Sequence, residues 1–219
     1  MPAKKNSVEE RIEIPPLNIK TFVLTIVGDS PLIVHAWSDK AKRMMLEKQT
    51  KKATAGKEIR KPYVEFADSL YWLTPKPDLD GLSDEKAAEI IDKAIPNAKF
   101  GFPTVGIKAA AASGGFRSKV TKNKTDARAA FHLQGIYAVI EGTPQIREDM
   151  VKIGQGTADL RYRGEFPTWQ TSLTVEYNER AMSAEQIVNL FNIGGFACGI
   201  GEWRPEKGGD YGRYHVKIG

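Results

Sequence analysis

Cysteine is almost missing from this chain: Cys198 is the single one in 219 residues. That excludes an intramolecular disulfide framework and any multi-cysteine metal cluster. Long apolar runs are missing as well, and none approaches the ~18 residues of a membrane span. The opening stretch, "MPAKKNSVEERIEIPP", is too polar for a signal peptide. A cytoplasmic protein, or a viral one in a host cytoplasm, with no membrane partner is the expectation. Histidine is scarce: His35, His132 and His215 lie far apart and make no helical metal pair. There is no G-x-x-x-x-G-K-[ST] loop and no G-x-S-x-G elbow. No metal site and no cofactor are therefore expected. Enzymatic chemistry rests on His35, which follows an apolar strand and could act as a general base near a phosphodiester, with His132 as the other candidate. Cys198, among glycines at a helix exit, reads as a buried structural thiol.

What the chain has is segregated charge. The net charge is +5, and its distribution says more than its sum. Residues 38–61 carry nine Lys/Arg against three acids, and residues 108–128 carry six against one. Residues 62–100 reverse this with eight acids against four lysines. A cationic surface and an anionic surface on one molecule suit phosphate backbones and could let copies stack head to tail. For residues 38–61 taken alone, a merely solvated face is an equal reading.

Along the chain, residues 1–19 read as a flexible arm. "KTFVLTIVG" (20–28) is apolar on both faces and reads as a central strand. Residues 38–61 suggest a lysine-rich helix with Ser38 as N-cap, 63–73 a helix, and Ser83 the cap of another. The block at about 37–99 reads as a largely helical insertion. Thr104 is placed to cap a small-residue helix that Gly114–Gly115 would end. Residues 129–142 read as one strand bulged at Gly135, and 143–168 as an excursion without period. Residues 169–179 alternate as a strand. Ser183 and Gln186 form a capping box before a helix that Gly194–Gly195 would end, and Tyr214, Val216 and Ile218 alternate in a last strand. Without its insertions the order is βαββαβ. The fold class expected is α+β, a ferredoxin-like or RRM-like antiparallel sheet with helices on one face. The open sheet face of such a fold is a common RNA platform.

Binding signals exceed catalytic ones. Lys108, Arg117, Lys119, Lys122, Lys124 and Arg128 surround a Gly-Gly helix end, a density suited to tracking phosphates. Tyr162 lies between Arg161 and Arg163, with Trp169 close behind; guanidinium planes and aromatic rings stack unpaired bases at ~1–3 kcal/mol each. A core aromatic for Trp169 and a solvated hairpin for the two arginines are equal alternatives. The segment "GIGEWRPEKGGDYGRYHV" (199–216) sets Arg204, Lys207 and Arg213 among five glycines. Glycine permits close backbone approach, so this segment reads as a rigid turn holding backbone phosphates.

The same segment resembles the C-terminal glycine-rich loop of the RAMP superfamily, the ferredoxin-like proteins of CRISPR systems. Residues 102–117, "FPTVGIKAAAASGGFR", are similar to that family's entry to its first helix, with Pro103, Thr104, Gly106, Lys108 and Arg117 in comparable places. Thr104-Val105 stands where paired serines are usual, and Asp210 where a basic or small residue is commoner. The resemblance covers 20–36 and 100–218. It implies a guide-RNA backbone subunit of a head-to-tail assembly with a thumb at 143–168. It also implies that Lys108, Arg117, Arg161, Arg163 and Arg213 touch the nucleic-acid backbone, and it looks like a stand-alone phage or prophage relative. The function expected is thus non-enzymatic binding of single-stranded RNA or DNA by a homo-oligomer. The alternatives are a metal-independent RAMP-type endoribonuclease, a phage strand-annealing protein, or an anti-defence protein with a host partner.

Overall fold

The computed structural model describes residues 16–37, 45–46, 60–153 and 157–217. The expected arm at 1–19 thus lies mostly outside the described residues. So does the lysine-rich helix at 38–61 with its Ser38 cap, of which Met45 and Leu46 are described and helical. Ile218 is outside as well. The fold is α+β with antiparallel sheets.

Four strands form the main sheet in the order β4-β8-β1-β9. They are β1 (Ile19–Gly28), β4 (Phe131–Leu133), β8 (Gln170–Asn178) and β9 (Tyr214–Val216). Every neighbour is antiparallel, with Leu24 opposite Leu173 and Ile26 opposite Val216. Period-2 alternation sends Leu24, Ile26, Leu173, Val175, Phe131 and Tyr214 inward. The other face carries Thr21, Val23, Thr25, Ser172, Thr174 and Glu176, and Val23 is 70% exposed. So β1 is central but buried on one face only. The open face of the sheet carries the exposed rings of His132 and His215 and, among the described residues, no Phe, Tyr or Trp.

Two helices cover the buried face: α3 (Thr104–Arg117) and α5 (Ala184–Ala197). The glycines expected to end them lie inside them instead. A Cβ on Gly114 would sit 2.6 Å from the Gly194 Cα, and one on Gly194 2.6 Å from the Ala111 Cα. They are there so that two helix backbones can touch. Thr104 is not the N-cap either; Pro103 is, and the Thr104 hydroxyl donates to the Gly135 and Ile136 carbonyls at 2.7 and 3.2 Å. The capping box of Ser183 and Gln186 is present in α5.

The single strand read at 129–142 is two strands in different sheets. α4 (Lys124–Ala130) runs into β4, and β5 (Tyr137–Ile140) pairs instead with β3 (Phe100–Pro103). Gly135, at φ +82°, makes the change of direction between them. The aperiodic stretch is a long hairpin, β6 (Gln145–Ile153) and β7 (Thr157–Phe166), completed by β2 (Leu32–Val34) into a three-stranded sheet. α1 (Pro62–Ser69) packs on β7, where the Ser69 hydroxyl accepts from the Gly164 amide at 2.7 Å. α2 (Asp84–Ala94), capped by Ser83, packs on α1. Among the described residues no helix is long and apolar enough to cross a membrane.

Candidate nucleic-acid interface

The expected binding residues separate into a stripe, a clasp and a buried set. The stripe lies along α3 and α4. Asn123 caps α4, accepting from the Asp126 amide at 2.8 Å, and this fixes Lys124 and Arg128 one turn apart on its surface. Lys124 lies over the exposed Phe116 ring, 5.9 Å from its centre. Lys108 Nζ is 3.2 Å from His132 Nδ1 and 5.5 Å from the centre of the Phe131 ring. Burial, together with the Arg128 guanidinium, holds Lys108 below the usual lysine value. Lys119 and Lys122 are exposed in the turn between the helices. Among the described residues none of these five cations has an acidic partner. Arg117, at the end of α3, reaches Glu206 at 3.3 Å.

The glycine-rich segment is the clasp. Most of its amides are spent within the protein: Ile200 donates to Gly212 O, Glu202 to Ile33 O, Glu206 to Cys198 O, Tyr211 to Trp203 O and Gly212 to Pro31 O, all at 2.8–3.1 Å. Its glycines serve this folding back. At Gly201 (φ +78°) a Cβ would strike the Ile33 carbonyl, and at Gly212 (φ +65°) the Ile200 carbonyl. The expected cradle of free amides is therefore corrected to a self-bonded clasp. Arg204 belongs to it, donating to Gly201 O at 2.9 Å and pairing with Glu206 at 3.2 Å. Burial alone would raise the Glu206 carboxyl, but Arg204 and Arg117 hold it below the usual glutamate value. Arg213 Nε donates to Asp210 O at 3.3 Å. Lys207 is exposed.

Arg163 and Trp169 belong to the interior. Arg163 is 4% exposed and pairs with Asp149 at 3.2 Å, in a network where Arg147 joins Asp149 (2.9 Å), Glu165 (3.0 Å) and the Tyr211 ring (4.6 Å). Trp169 is also 4% exposed, and its indole donates to Ser30 O at 2.9 Å. Neither presents a face to a base or a phosphate, because each is already packed and bonded. Arg161 is half-exposed, 3.7 Å from Asp159, and the bond to Glu148 raises the Tyr162 hydroxyl above the usual tyrosine value.

His35 lines a cleft of about 230 Å³ with Tyr71, Phe102, Glu202 and the small residues of α3. Burial and the Arg163 guanidinium lower its pKa, and Glu202 at 4.0 Å pulls the other way. His132 is on β4 and His215 on β9, where His215 Nδ1 meets Asp29 at 2.6 Å. No two histidines share a site. Cys198 is fully buried, and burial pushes its thiol up. Among the described residues no group of His, Cys, Asp and Glu could hold a metal ion. Reading the sequence missed Glu202, Glu206 and Tyr71. A signal for Glu206 existed, since Arg204 and Glu206 alternate inside the cationic segment.

No family model matches the chain, and no curated protein matches it. Among solved structures, Cmr6 from Pyrococcus furiosus is similar at a TM-score of 0.36 and 12% identity, over 92% of this chain and 100% of that one.

Proposed function

We propose that this chain is a non-enzymatic protein that binds single-stranded nucleic acid, RNA or DNA, on the α3–α4 stripe. The observation that carries it is that Lys108, Lys119, Lys122, Lys124 and Arg128 gather with no acidic partner among the described residues. A folded protein gains nothing from crowding unpaired cations, whereas a phosphate chain neutralises them all and releases its counterions. The main sheet supports a ferredoxin-like frame of RAMP type: its elements follow as β1-α3-β4-β8-α5-β9, in the spatial order β4-β8-β1-β9. Exposed Asp78, Asp80, Glu85, Glu89 and Asp92 give a neighbouring copy an acidic surface for cations outside the stripe, such as the exposed Lys207. That supports head-to-tail assembly along the strand.

Fluorescence anisotropy with labelled single strands tests the reading. Five phosphate contacts at ~0.7 each give a slope of log K against log salt near about −3.5. Binding weaker than tens of micromolar at low salt, or without salt dependence, would sink it. A second reading, endoribonuclease action with His35 as base, draws on the lowered pKa of His35 in the cleft. Intact RNA after prolonged incubation with pure protein removes it.

A further inference from the structure

The cleft beside the stripe has the chemistry of a base pocket. One wall is aromatic: the Tyr71 and Phe102 rings stand edge to face, 6.1 Å apart. Tyr71 is held there by its hydroxyl, which donates to the His35 carbonyl at 3.3 Å. Small residues of α3, Gly106, Ala109 and Ala110, line the cleft as well, with Gly106 close against the Phe102 ring. The volume of about 230 Å³ falls below the range of pockets that hold whole ligands. It admits a flat ring and leaves sugar and phosphate outside.

At the rim stands a carboxylate with its lone pairs unspent. Glu206 is occupied by Arg204 and Arg117. Glu202 has one ion-pair contact among the described residues, His35 Nδ1 at 4.0 Å, which is beyond hydrogen-bond length. The clasp fixes it, since the Glu202 amide donates to the Ile33 carbonyl at 2.9 Å. A carboxylate accepts two parallel N–H bonds. Guanine alone among the common bases offers two adjacent donors, its N1–H and N2–H. Adenine and cytosine offer one amine beside an acceptor, and uracil one N–H flanked by carbonyl oxygens that a carboxylate repels.

We infer that this cleft takes one guanine base of the bound strand, laid on the half-buried Tyr71 ring and read by the Glu202 carboxylate. The inference rests on the nucleic-acid reading above and deepens it. The bridge Arg204–Glu206–Arg117, at 3.2 and 3.3 Å, runs from the rim of the cleft to the end of the stripe. In this inference the strand crosses that end of α3, so that one of its bases meets the mouth of the cleft. Unpaired bases splayed out and read on their Watson–Crick edge are the usual means of sequence recognition in single strands.

The test is anisotropy with short oligouridylates that carry one central guanine, inosine, adenine or no substitution. The guanine strand is expected to bind about tenfold tighter than the all-uridine strand. Inosine, which lacks the N2 amine, recovers part of that gain and adenine none. Glu202→Gln removes the difference between guanine and uridine strands, and Ala109→Met, which fills the cleft from α3, does the same; a thermal melt shows that each variant is folded. Equal binding of all strands by the wild type, or a guanine preference that survives in folded Glu202→Gln, overturns the guanine pocket and leaves the stripe standing. Failure of the wild type to bind any strand overturns the nucleic-acid reading itself.

Discussion

Lys108→Met separates an interface cation from a structural one. In the folded protein the Lys108 ammonium has His132 at 3.2 Å, the Phe131 ring at 5.5 Å and the repulsion of Arg128. Methionine keeps an unbranched apolar stem against Phe131. It gives up a cation–π contact of about 0.5–1 kcal/mol and is relieved of the desolvation and of the Arg128 repulsion that lower the lysine pKa. Stability should stay within about 0.5 kcal/mol of wild type, as for a surface change. The sign with pH follows from the lowered pKa. Below its folded value the lysine is charged in both states and its penalty is full; as pH rises through that value the penalty is relieved. Wild type should therefore gain on Lys108→Met as pH climbs into the lysine range. Binding behaves differently. Losing one phosphate contact makes the salt slope shallower by about 0.7, which at 0.1 M salt is about fivefold in affinity, or about 1 kcal/mol. Urea denaturation and anisotropy over a salt series read the two quantities. A variant destabilised by more than about 1.5 kcal/mol with its salt slope unchanged would refute the reasoning, since Lys108 would then be holding β4 to α3.

Gly194→Ala should lower stability by about 1–3 kcal/mol, because its Cβ would lie 2.6 Å from the Ala111 Cα; an unchanged thermal midpoint would mean that α3 and α5 do not pack so closely. Arg163→Met should cost about 2–3 kcal/mol, since Asp149 keeps Arg147 but loses its buried partner. Adding Asp149→Asn should restore part of that, and nucleic-acid affinity of the folded variant should match wild type; stable protein with weak binding would return Arg163 to the interface. Glu206→Gln should destabilise by about 1 kcal/mol at neutral pH. The Glu206 contribution is complete above the ordinary glutamate value of 4.5 and is lost as pH falls through its lower folded value, so the gap between variant and wild type, read by urea midpoints, should close in acid.

Strand β8 and the α5 capping box were legible because their signals are local: alternation in 170–178, and Ser183 three residues before Gln186. The hairpin at 145–166 was not, because its alternation is inverted. Asp149, Arg163 and Glu165 face inward, while Met150 and Leu160 face out, so a search for apolar period finds nothing. Gly114 and Gly194 were misread for a related reason. A glycine that ends a helix and one that admits a second helix look identical until the partner, 80 residues away, is known. Trp169 stands at a strand start in either reading, and only the Ser30 carbonyl decides for the interior.

The stripe and the clasp are both cationic, and pairing with acids is what divides them. Arg204 and Arg117 share one carboxylate, Glu206, and Arg163 and Arg147 share another, Asp149. A phosphate arriving at any of these arginines must compete with an acid already bonded there, so its gain is the difference between two similar contacts. At Lys108, Lys124 and Arg128 no acid among the described residues would have to be displaced; Lys108 has His132 and the Phe131 ring and Lys124 the Phe116 ring, so the proposed association would keep most of its counterion release. Arginine's planar fork suits the first task, since one guanidinium can bind a carboxylate and a backbone carbonyl together, as Arg204 does with Glu206 and Gly201. Lysine's single charge on a flexible stem suits the second, where the proposed ligand is a moving chain of phosphates. The segment with the most glycine and arginine is thus the part that holds itself against β1 and β2, and its Glu202 carboxylate is left with a single contact among the described residues, His35 at 4.0 Å.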